Sequence, residues 1–163
     1  MTDKKDPKTC LILIVDDDST VVDFFSTTME IEGFTTEIAF DGGEALASMR
    51  KSKPSLILLD LMLPTKGGYE VLREMQSDKE LKDIPVIVIT AKSLEAESKK
   101  FLAEGVNILE IIEKPINPTI LAHKVHKALN TLTMEDKIIE RGKKQLEQLN
   151  IKPEQLKKKL WDY

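Results

Sequence analysis

The chain has a single cysteine among its 163 residues, which excludes a disulfide framework and any cysteine-based zinc or iron–sulfur site. We expect this residue, Cys10, to be a buried thiol at a strand end. Aromatic residues make up only 5% of the chain, and no apolar run approaches the roughly 18 residues of a membrane span. Residues 1–8 are polar and carry no signal-peptide pattern. We therefore expect a cytoplasmic protein that does not associate with membranes.

The chain also lacks an excess of basic residues. It has 24 Lys and Arg against 28 Asp and Glu, which gives a net charge of -4. The charges are unevenly placed, since residues 133–163 carry 8 basic and 6 acidic side chains and the remainder carries 16 and 22. An acidic chain argues against a nucleic-acid binder as a whole, but its basic C-terminal end is an exception.

Short apolar runs alternate with longer segments of helical period, and this alternation repeats five times. Most of the runs are continuously rather than alternately apolar, which indicates strands buried on both faces and hence a parallel sheet covered by helices. The pattern predicts an α/β fold with a doubly wound five-stranded sheet and helices on both faces. The expected strands are Leu11–Val15, Thr35–Phe40, Leu56–Leu59, Val86–Ile89 and Ile108–Ile112.

Polar residues follow four of these runs directly. Asp16, Asp17 and Asp18 follow the first strand and Asp60 the third, while Thr90 and Lys114 follow the fourth and fifth. If strands one and three are neighbours, about 4.8 Å apart, their carboxylates converge on one ion. An oxygen-only cluster without His or Cys suits Mg²⁺. A lysine and a hydroxyl beside it suit phosphoryl oxygens, so the sequence predicts an aspartate that accepts a phosphoryl group.

Four motifs, in order along the chain, carry a resemblance to a known family. They are Ile12–Asp17, Ile57–Pro64, Val88–Ala91 and Lys114–Pro115. Residues 10–131 resemble the receiver domain of two-component response regulators. The resemblance implies a flavodoxin-like fold with strand order 2-1-3-4-5. It also implies a phosphohistidine donor on a sensor histidine kinase or phosphotransfer protein, and output by contact with a downstream protein.

The resemblance also implies roles for six residues. Asp60 would be the phosphoacceptor, with Thr90 and Lys114 contacting the phosphoryl group. Mg²⁺ would be held by Asp16, Asp17 and Asp60 together with the backbone carbonyl of Met62. Such a domain catalyses only its own phosphorylation and dephosphorylation, so we do not expect a turnover enzyme. A receiver that keeps the fold without being phosphorylated is the alternative that these residues argue against.

The chain departs from the family pattern in several places. Gly67 stands where the family has an acidic residue, and Ile111 stands where it often has an aromatic switch residue. The spacing from Gly105 to Lys114 is one residue longer than the usual spacing between this glycine and lysine in the family. Met62 and Lys92 occupy positions where the family tunes dephosphorylation. An apolar Met62 orients water poorly, so we expect a long-lived phosphoryl group.

Two histidines, His123 and His126, lie three residues apart on the last receiver helix, and we expect both at the surface. The predicted domains are a polar arm at residues 1–9, a receiver at 10–132 and a charged helical extension at 133–163. We expect that the extension is helical, is interrupted at Gly142 and restarts at Pro153. Its apolar stripes favour packing against the receiver, a second copy of the chain or a target.

The extension also carries a shorter resemblance, to a Fis-type helix-turn-helix. It covers Leu149–Leu156 and Lys159–Tyr163, with Lys157 to Lys159 facing phosphates. Asn150 replaces the usual turn glycine. The alternative function is therefore a DNA-binding transcriptional regulator. A further possibility is that the chain is a receiver domain taken from a hybrid kinase.

Overall fold

The computed structural model describes residues 3–91, 105–152 and 154–155. The helix predicted over residues 93–104 and the residue before it, Lys92, lie outside the described residues. So do Pro153 and residues 156–163, which include the three consecutive lysines. The chain divides into two compact units, Met1–Thr131 and Leu132–Tyr163.

The first unit is built on a five-stranded sheet in which all neighbouring strands are parallel. The strand order is β2-β1-β3-β4-β5, as predicted. The strands are Leu11–Val15 (β1), Thr35–Ala39 (β2), Leu56–Leu59 (β3), Val86–Thr90 (β4) and Ile108–Glu113 (β5).

Helices cover both faces of this sheet. The described helices of the first unit are Ser19–Ile31 (α1), Gly42–Ser52 (α2), Gly68–Ser77 (α3) and Pro118–Leu129 (α4). Side chains of α1 and α4 pack with Ile12 and Ile14 on one face, whereas side chains of α2 and α3 pack with Leu13 and Val15 on the other. Alternate residues of β1 thus enter different cores, which is why an all-apolar strand is required.

The sequence predicts helix starts at Asp18–Thr20, Asp41 and Asn117–Pro118, and side-chain caps confirm them. Asp18 caps α1 and accepts hydrogen bonds from the backbone N–H groups of Thr20 and Val21. Asp41 caps α2 in the same way, and Asn117 caps α4 ahead of a first-turn proline. Each cap satisfies donors that the first helical turn leaves unpaired.

The sequence predicts that the helix after Asn117 extends to about Leu132, whereas α4 ends at Leu129. Asn130 causes this difference because its backbone adopts the left-handed conformation, with φ at 50°. Asparagine tolerates that conformation, and its N–H donates to carbonyls of the last helical turn. The helix is therefore closed by its C-cap.

The described part of the predicted polar arm, residues 3–9, belongs to the first unit and contacts its C-terminal end. Lys5 pairs in parallel with Thr131, and its N–H donates to the carbonyl of Asn130 at 2.8 Å. A short 3-10 helix, Pro7–Thr9, follows and leads into β1, with Pro7 itself buried.

The second unit contains one described helix, Met134–Gln148 (α5). It runs through Gly142, so the predicted interruption there is wrong. Thr133 and Asp136 form a reciprocal capping box that satisfies the first turn. The helix ends before Asn150, whose φ is 54°, and helical backbone resumes at residues 154–155. None of the helices in the described part of the chain is long and apolar enough to cross a membrane.

Candidate functional site

Parallel pairing of β1 with β3 brings the predicted acidic residues together. Val15 is in register with Leu59, and the N–H of Asp60 donates to the carbonyl of Val15 at 2.9 Å. Asp16 and Asp60, the residues directly after these two strands, therefore lie side by side at the carboxyl edge of the sheet. In doubly wound sheets this edge is the usual place for a ligand.

Three carboxylates form a cluster at this edge. One oxygen each from Asp16, Asp17 and Asp60 lies within 4.8 Å of the others. Asp16 is 2% exposed and Asp60 is 6% exposed, whereas Asp17 faces solvent. The cluster thus has two buried members and one open side. Oxygen ligands in this number and arrangement fit a hard divalent cation such as Mg²⁺.

The two buried carboxylates are held in the same way. Asp16 Oδ1 accepts from the backbone N–H of Asp18 at 2.9 Å, and Asp60 Oδ1 accepts from that of Met62 at 3.0 Å. The Nζ atom of Lys114 donates to both remaining oxygens, at 2.6 Å to Asp16 Oδ2 and 3.0 Å to Asp60 Oδ2. One ammonium group therefore bridges the two acids. Sequence reasoning placed Lys114 near the site but missed its pairing with Asp16.

Burial raises the pKa of Asp60 above its ordinary value of 3.8, and the nearby charge of Asp16 adds to this effect. The hydrogen bonds from Met62 and Lys114 act in the opposite direction without cancelling it. Burial lowers the pKa of Lys114, but its hydrogen bonds to the two aspartates outweigh that effect and leave the pKa above 10.5. The site thus holds a charged lysine beside a carboxyl group that is costly to ionise.

Thr90 is the last residue of β4 and is 1% exposed. Within the described part of the chain, its Oγ1 is buried without a hydrogen-bond partner. Buried hydroxyl groups are normally paired, so an orphaned one marks a place where a ligand oxygen fits. The carbonyl of Thr90 accepts from the backbone N–H of Lys114 at 2.8 Å, which ties the two residues to the same edge.

The loop after Asp60 is tightly packed against the site. A Cβ on Gly68 would lie 2.5 Å from the carbonyl oxygen of Asp60, so only glycine fits there. Gly67 occupies the N-cap position of α3 and makes no side-chain cap, which is the consequence of the missing acidic residue. Thr65 has φ at 63°, an unusual conformation for a β-branched residue.

The remaining residues singled out in the sequence take varied positions. Met62 is 59% exposed, with its N–H bound to Asp60, and the role of its carbonyl stays a prediction. Ile111 lies opposite Val88 and packs against the core. Cys10 is buried, as expected.

The surface position predicted for His126 is wrong, although that of His123 is confirmed. His126 is 3% exposed. Its Nδ1 lies 2.7 Å from Thr131 Oγ1 and its Nε2 lies 2.7 Å from Glu32 Oε2. The missed signal is the spacing, since His126 follows the buried Ala122 by one helical turn.

Comparison with known proteins agrees with this geometry. Residues 12–126, more than half of the chain, match the family model of the response regulator receiver domain. The chain belongs to the response regulator receiver family. Its sheet order is that of the flavodoxin-like receivers of two-component signalling, which confirms the resemblance and fold predicted from the sequence.

Similar response regulators include two curated proteins. The DNA-binding response regulator MtrA of Mycobacterium tuberculosis is 35% identical over 118 residues, which cover 72% of this chain and 50% of MtrA. The response regulator SaeR of Staphylococcus aureus is 32% identical over 121 residues, 74% of this chain and 51% of SaeR. The chain therefore spans about half the length of the curated relatives it matches.

Solved receiver structures are similar over a comparable range. A CheY-like receiver domain protein from Methanospirillum hungatei is 33% identical, with a TM-score of 0.66, and the match covers 74% of this chain and 93% of that one. The chemotaxis protein CheY4 of Vibrio cholerae is 28% identical, with a TM-score of 0.66 and coverage of 74% and 98%.

Proposed function

We propose that the chain is a phosphorylation-dependent switch whose acceptor is Asp60. The observation that carries the proposal is the cluster of three carboxylates within 4.8 Å, two of them bridged by Lys114. A carboxylate, a fixed cation and a buried hydroxyl at one edge of a sheet are groups that support phosphoryl transfer to an aspartate.

In the proposed reaction, a carboxylate oxygen of Asp60 attacks the phosphorus of a phosphohistidine on a sensor kinase or phosphotransfer protein. The P–N bond breaks, and its electron pair stays on the imidazole of the donor. Lys114 neutralises charge on the transferred oxygens, and the hydroxyl of Thr90, which has no hydrogen-bond partner among the described residues, donates a hydrogen bond to one of them.

The acidic cluster fits Mg²⁺, which would be held by Asp16, Asp17 and Asp60 together with the carbonyl of Met62. The ion would supply charge neutralisation for a loose transition state. Asp17 contributes the solvent-exposed side of the cluster, so ion and donor have access from there.

In this proposal, phosphorylation signals by shifting a pre-existing conformational equilibrium of the receiver. Engagement of Thr90 and Lys114 by the phosphoryl group draws the ends of β4 and β5 toward Asp60. Lys114 must then exchange its bond with Asp16 for one with the phosphoryl oxygens. We propose that the resulting surface is read by a downstream protein.

Intact mass after incubation with acetyl phosphate and Mg²⁺ tests the proposal. A gain of about 80 Da, the mass of one phosphoryl group, is expected in the wild type and is lost in Asp60→Asn or without Mg²⁺. Asp83→Asn is a matched control, because Asp83 is an exposed aspartate of the same unit that lies outside the cluster. Absence of the gain in the wild type, together with failure to bind beryllofluoride, would establish a phosphorylation-independent receiver.

A DNA-binding output is the second candidate. The observation in its favour is the turn at Asn150, where the left-handed φ of 54° supplies the conformation for which a turn glycine is otherwise needed. Helical backbone resumes four residues later. The DNA-binding function named for MtrA belongs to that protein, and the family match ends at residue 126, before this segment.

Fluorescence anisotropy with labelled duplex DNA distinguishes the two outputs. A DNA-binding output predicts salt-dependent binding by the phosphorylated full chain that is lost on deletion of residues 133–163. Unchanged anisotropy at low salt would exclude a DNA-binding output and would favour output through a protein partner.

A further inference from the structure

The loop that joins β3 to α3 is closed on itself. It carries Met62, and the N–H of Gly68 at its end donates to the carbonyl of Leu61 at its start, at 3.1 Å. Leu61 is buried in the core, and the N–H of Met62 donates to Asp60 Oδ1 at 3.0 Å. A displacement within so short a loop is therefore passed to Met62, and through Met62 to Asp60.

Helix α2 holds this loop at Lys66. The first N–H groups of a helix have no partner within the helix. The N–H of Gly42, the first residue of α2, donates instead to the carbonyl of Lys66 at 3.2 Å. The positive end of the helix dipole lies at the same point and attracts a carbonyl oxygen. The start of α2 thus supports the loop from the side.

Gly42 is required for this close approach and not for its backbone conformation. Its φ is outside the left-handed region, unlike those of Gly33 and Gly105. A Cβ at position 42 would overlap the carbonyl oxygen of Lys66 and would lie 2.7 Å from Val71 Cγ2. Any residue other than glycine at this position must therefore displace the loop or α3.

The side chain of Lys66 adds a second tie. Its Nζ atom donates to Glu74 Oε1 on α3, and Glu74 Oε2 lies 3.7 Å from Arg50 Nη2 on α2. The side chains of Lys66 and Glu74 are 34% and 39% exposed, and an ion pair this open contributes little to stability. What the pair fixes is the position of Lys66 beside the two helices.

We propose that Gly42 and Lys66 are positioning residues of the phosphorylation site, an inference that rests on the proposed function. They hold the loop so that Met62 keeps its N–H on Asp60 and presents its carbonyl to Mg²⁺. Each of them acts through Met62 and not on the ion directly. The affinity for Mg²⁺ therefore depends on a contact between α2 and the loop that lies outside the carboxylate cluster.

Urea unfolding of the full chain at several Mg²⁺ concentrations tests the proposal. An ion that binds only the folded state raises the free energy of unfolding by an increment set by its Kd, whatever the stability of the variant without the ion. Gly42→Ala is expected to raise this Kd roughly tenfold, an effect typical of residues that orient metal ligands. A residue with a merely structural role would lower stability equally with and without Mg²⁺.

Gly43→Ala is the matched control, because it makes the same change one residue further along α2. Among the described residues, a Cβ at position 43 would meet only Asp41 Oδ1 within 4 Å, at 3.3 Å. The increment produced by Mg²⁺ is expected to equal that of the wild type.

Lys66→Met is the second variant, and it decides the question alone if Gly42→Ala does not fold. Loss of the bond to Glu74 is expected to raise the Kd for Mg²⁺ roughly threefold, in keeping with the modest energy of an exposed ion pair, and Lys66→Arg to restore it. Removal of a positive charge would by itself favour binding of a cation. A weaker affinity therefore reports the position of the loop and not its charge.

Intact mass after incubation with acetyl phosphate gives the same comparison by a second route. The Mg²⁺ concentration for half-maximal phosphorylation is expected to rise by the same factor as the Kd in each variant. An unchanged Mg²⁺ increment in Lys66→Met, or in a folded Gly42→Ala, would overturn the positioning role. A wild type that gains no stability from Mg²⁺ is a different result, which would contradict the magnesium site of the proposed function and this inference with it.

Discussion

Lys114 contacts Asp16 across the carboxyl edge of the sheet, with 2.6 Å between Nζ and Oδ2, although the two residues are 98 positions apart. The same Nζ lies 3.0 Å from Asp60 Oδ2. Lys114 is thus the counter-ion of two buried carboxylates. Charges of one sign this close require such a cation in the folded state.

Replacement of this lysine by a neutral side chain of similar length tests the counter-ion role. We expect Lys114→Met to lower the free energy of unfolding by about 2 kcal/mol in the absence of divalent ions, because two carboxylates lose their charged partner. Added Mg²⁺ is expected to restore more stability in this variant than in the wild type. Urea unfolding with and without Mg²⁺ measures both effects. Lys79→Met, an exposed lysine of the same unit, is the control.

That expectation fails if Mg²⁺ stabilises the wild type and Lys114→Met equally. Such a result would mean that the lysine and the ion do not neutralise the same carboxylates.

Asp60→Asn is expected to stabilise the fold at neutral pH. Burial raises the pKa of Asp60 above 3.8, so the folded state holds its proton more tightly than the unfolded state does. The free energy of unfolding therefore decreases as pH rises from 3.8 through the raised pKa, and the loss is complete above it. The asparagine amide of the variant does not ionise, so the variant does not lose this part of its free energy of unfolding as pH rises. We expect a melting temperature a few degrees higher at pH 7, with the difference disappearing below pH 3.8.

Thermal unfolding of both proteins from pH 3 to pH 8 provides the measurement. An equal melting temperature at pH 7, or a gap that widens at low pH, would contradict the raised pKa.

Thr65 is strained in the loop that joins β3 to α3. Its φ of 63° is in the left-handed region, which a β-branched residue enters at a cost. We expect Thr65→Asn and Thr65→Gly each to raise the free energy of unfolding by about 0.5–1 kcal/mol. Glycine also raises the conformational entropy of the unfolded chain, which opposes the gain. Asparagine tolerates the left-handed conformation without this effect, so Thr65→Asn is the control for Thr65→Gly. Destabilisation by both substitutions in urea would show that Thr65 does not adopt this conformation in solution.

His126 joins the end of α1 to the end of α4 through its two ring nitrogens. Its ring also lies 4.8 Å from that of Phe34. We expect His126→Ala to cost about 2–3 kcal/mol, because it opens a cavity and leaves Glu32 and Thr131 without this partner. His123→Ala, on the exposed side of the same helix, is expected to change stability by less than about 0.5 kcal/mol. If urea unfolding shows that the two substitutions lower the free energy of unfolding equally, the buried position of His126 is contradicted.

Much of the fold was predictable because local rules act within a few residues. The short all-apolar run of β1 is typical of a strand buried on both faces, and Asp18, Asp41 and Asn117 cap helices through their own neighbours. Tail residues were harder to predict. The sequence predicts an interruption at Gly142, but the helix continues through it, because the cost of one glycine is small beside a capping box and the remaining helix formers.

The sequence by itself determined the strand order, the helix starts and the set of polar residues at the strand ends, because each depends on hydrophobic period, capping chemistry or recognisable motifs. Only the tertiary structure decided which of those polar groups meet. The bridge from Lys114 to Asp16 and the contact of His126 with Glu32 join segments far apart in the chain, and among the described residues the buried hydroxyl of Thr90 has no hydrogen-bond partner. Contacts of that kind depend on where the packed sheet and helices bring side chains together, and no local pattern records them.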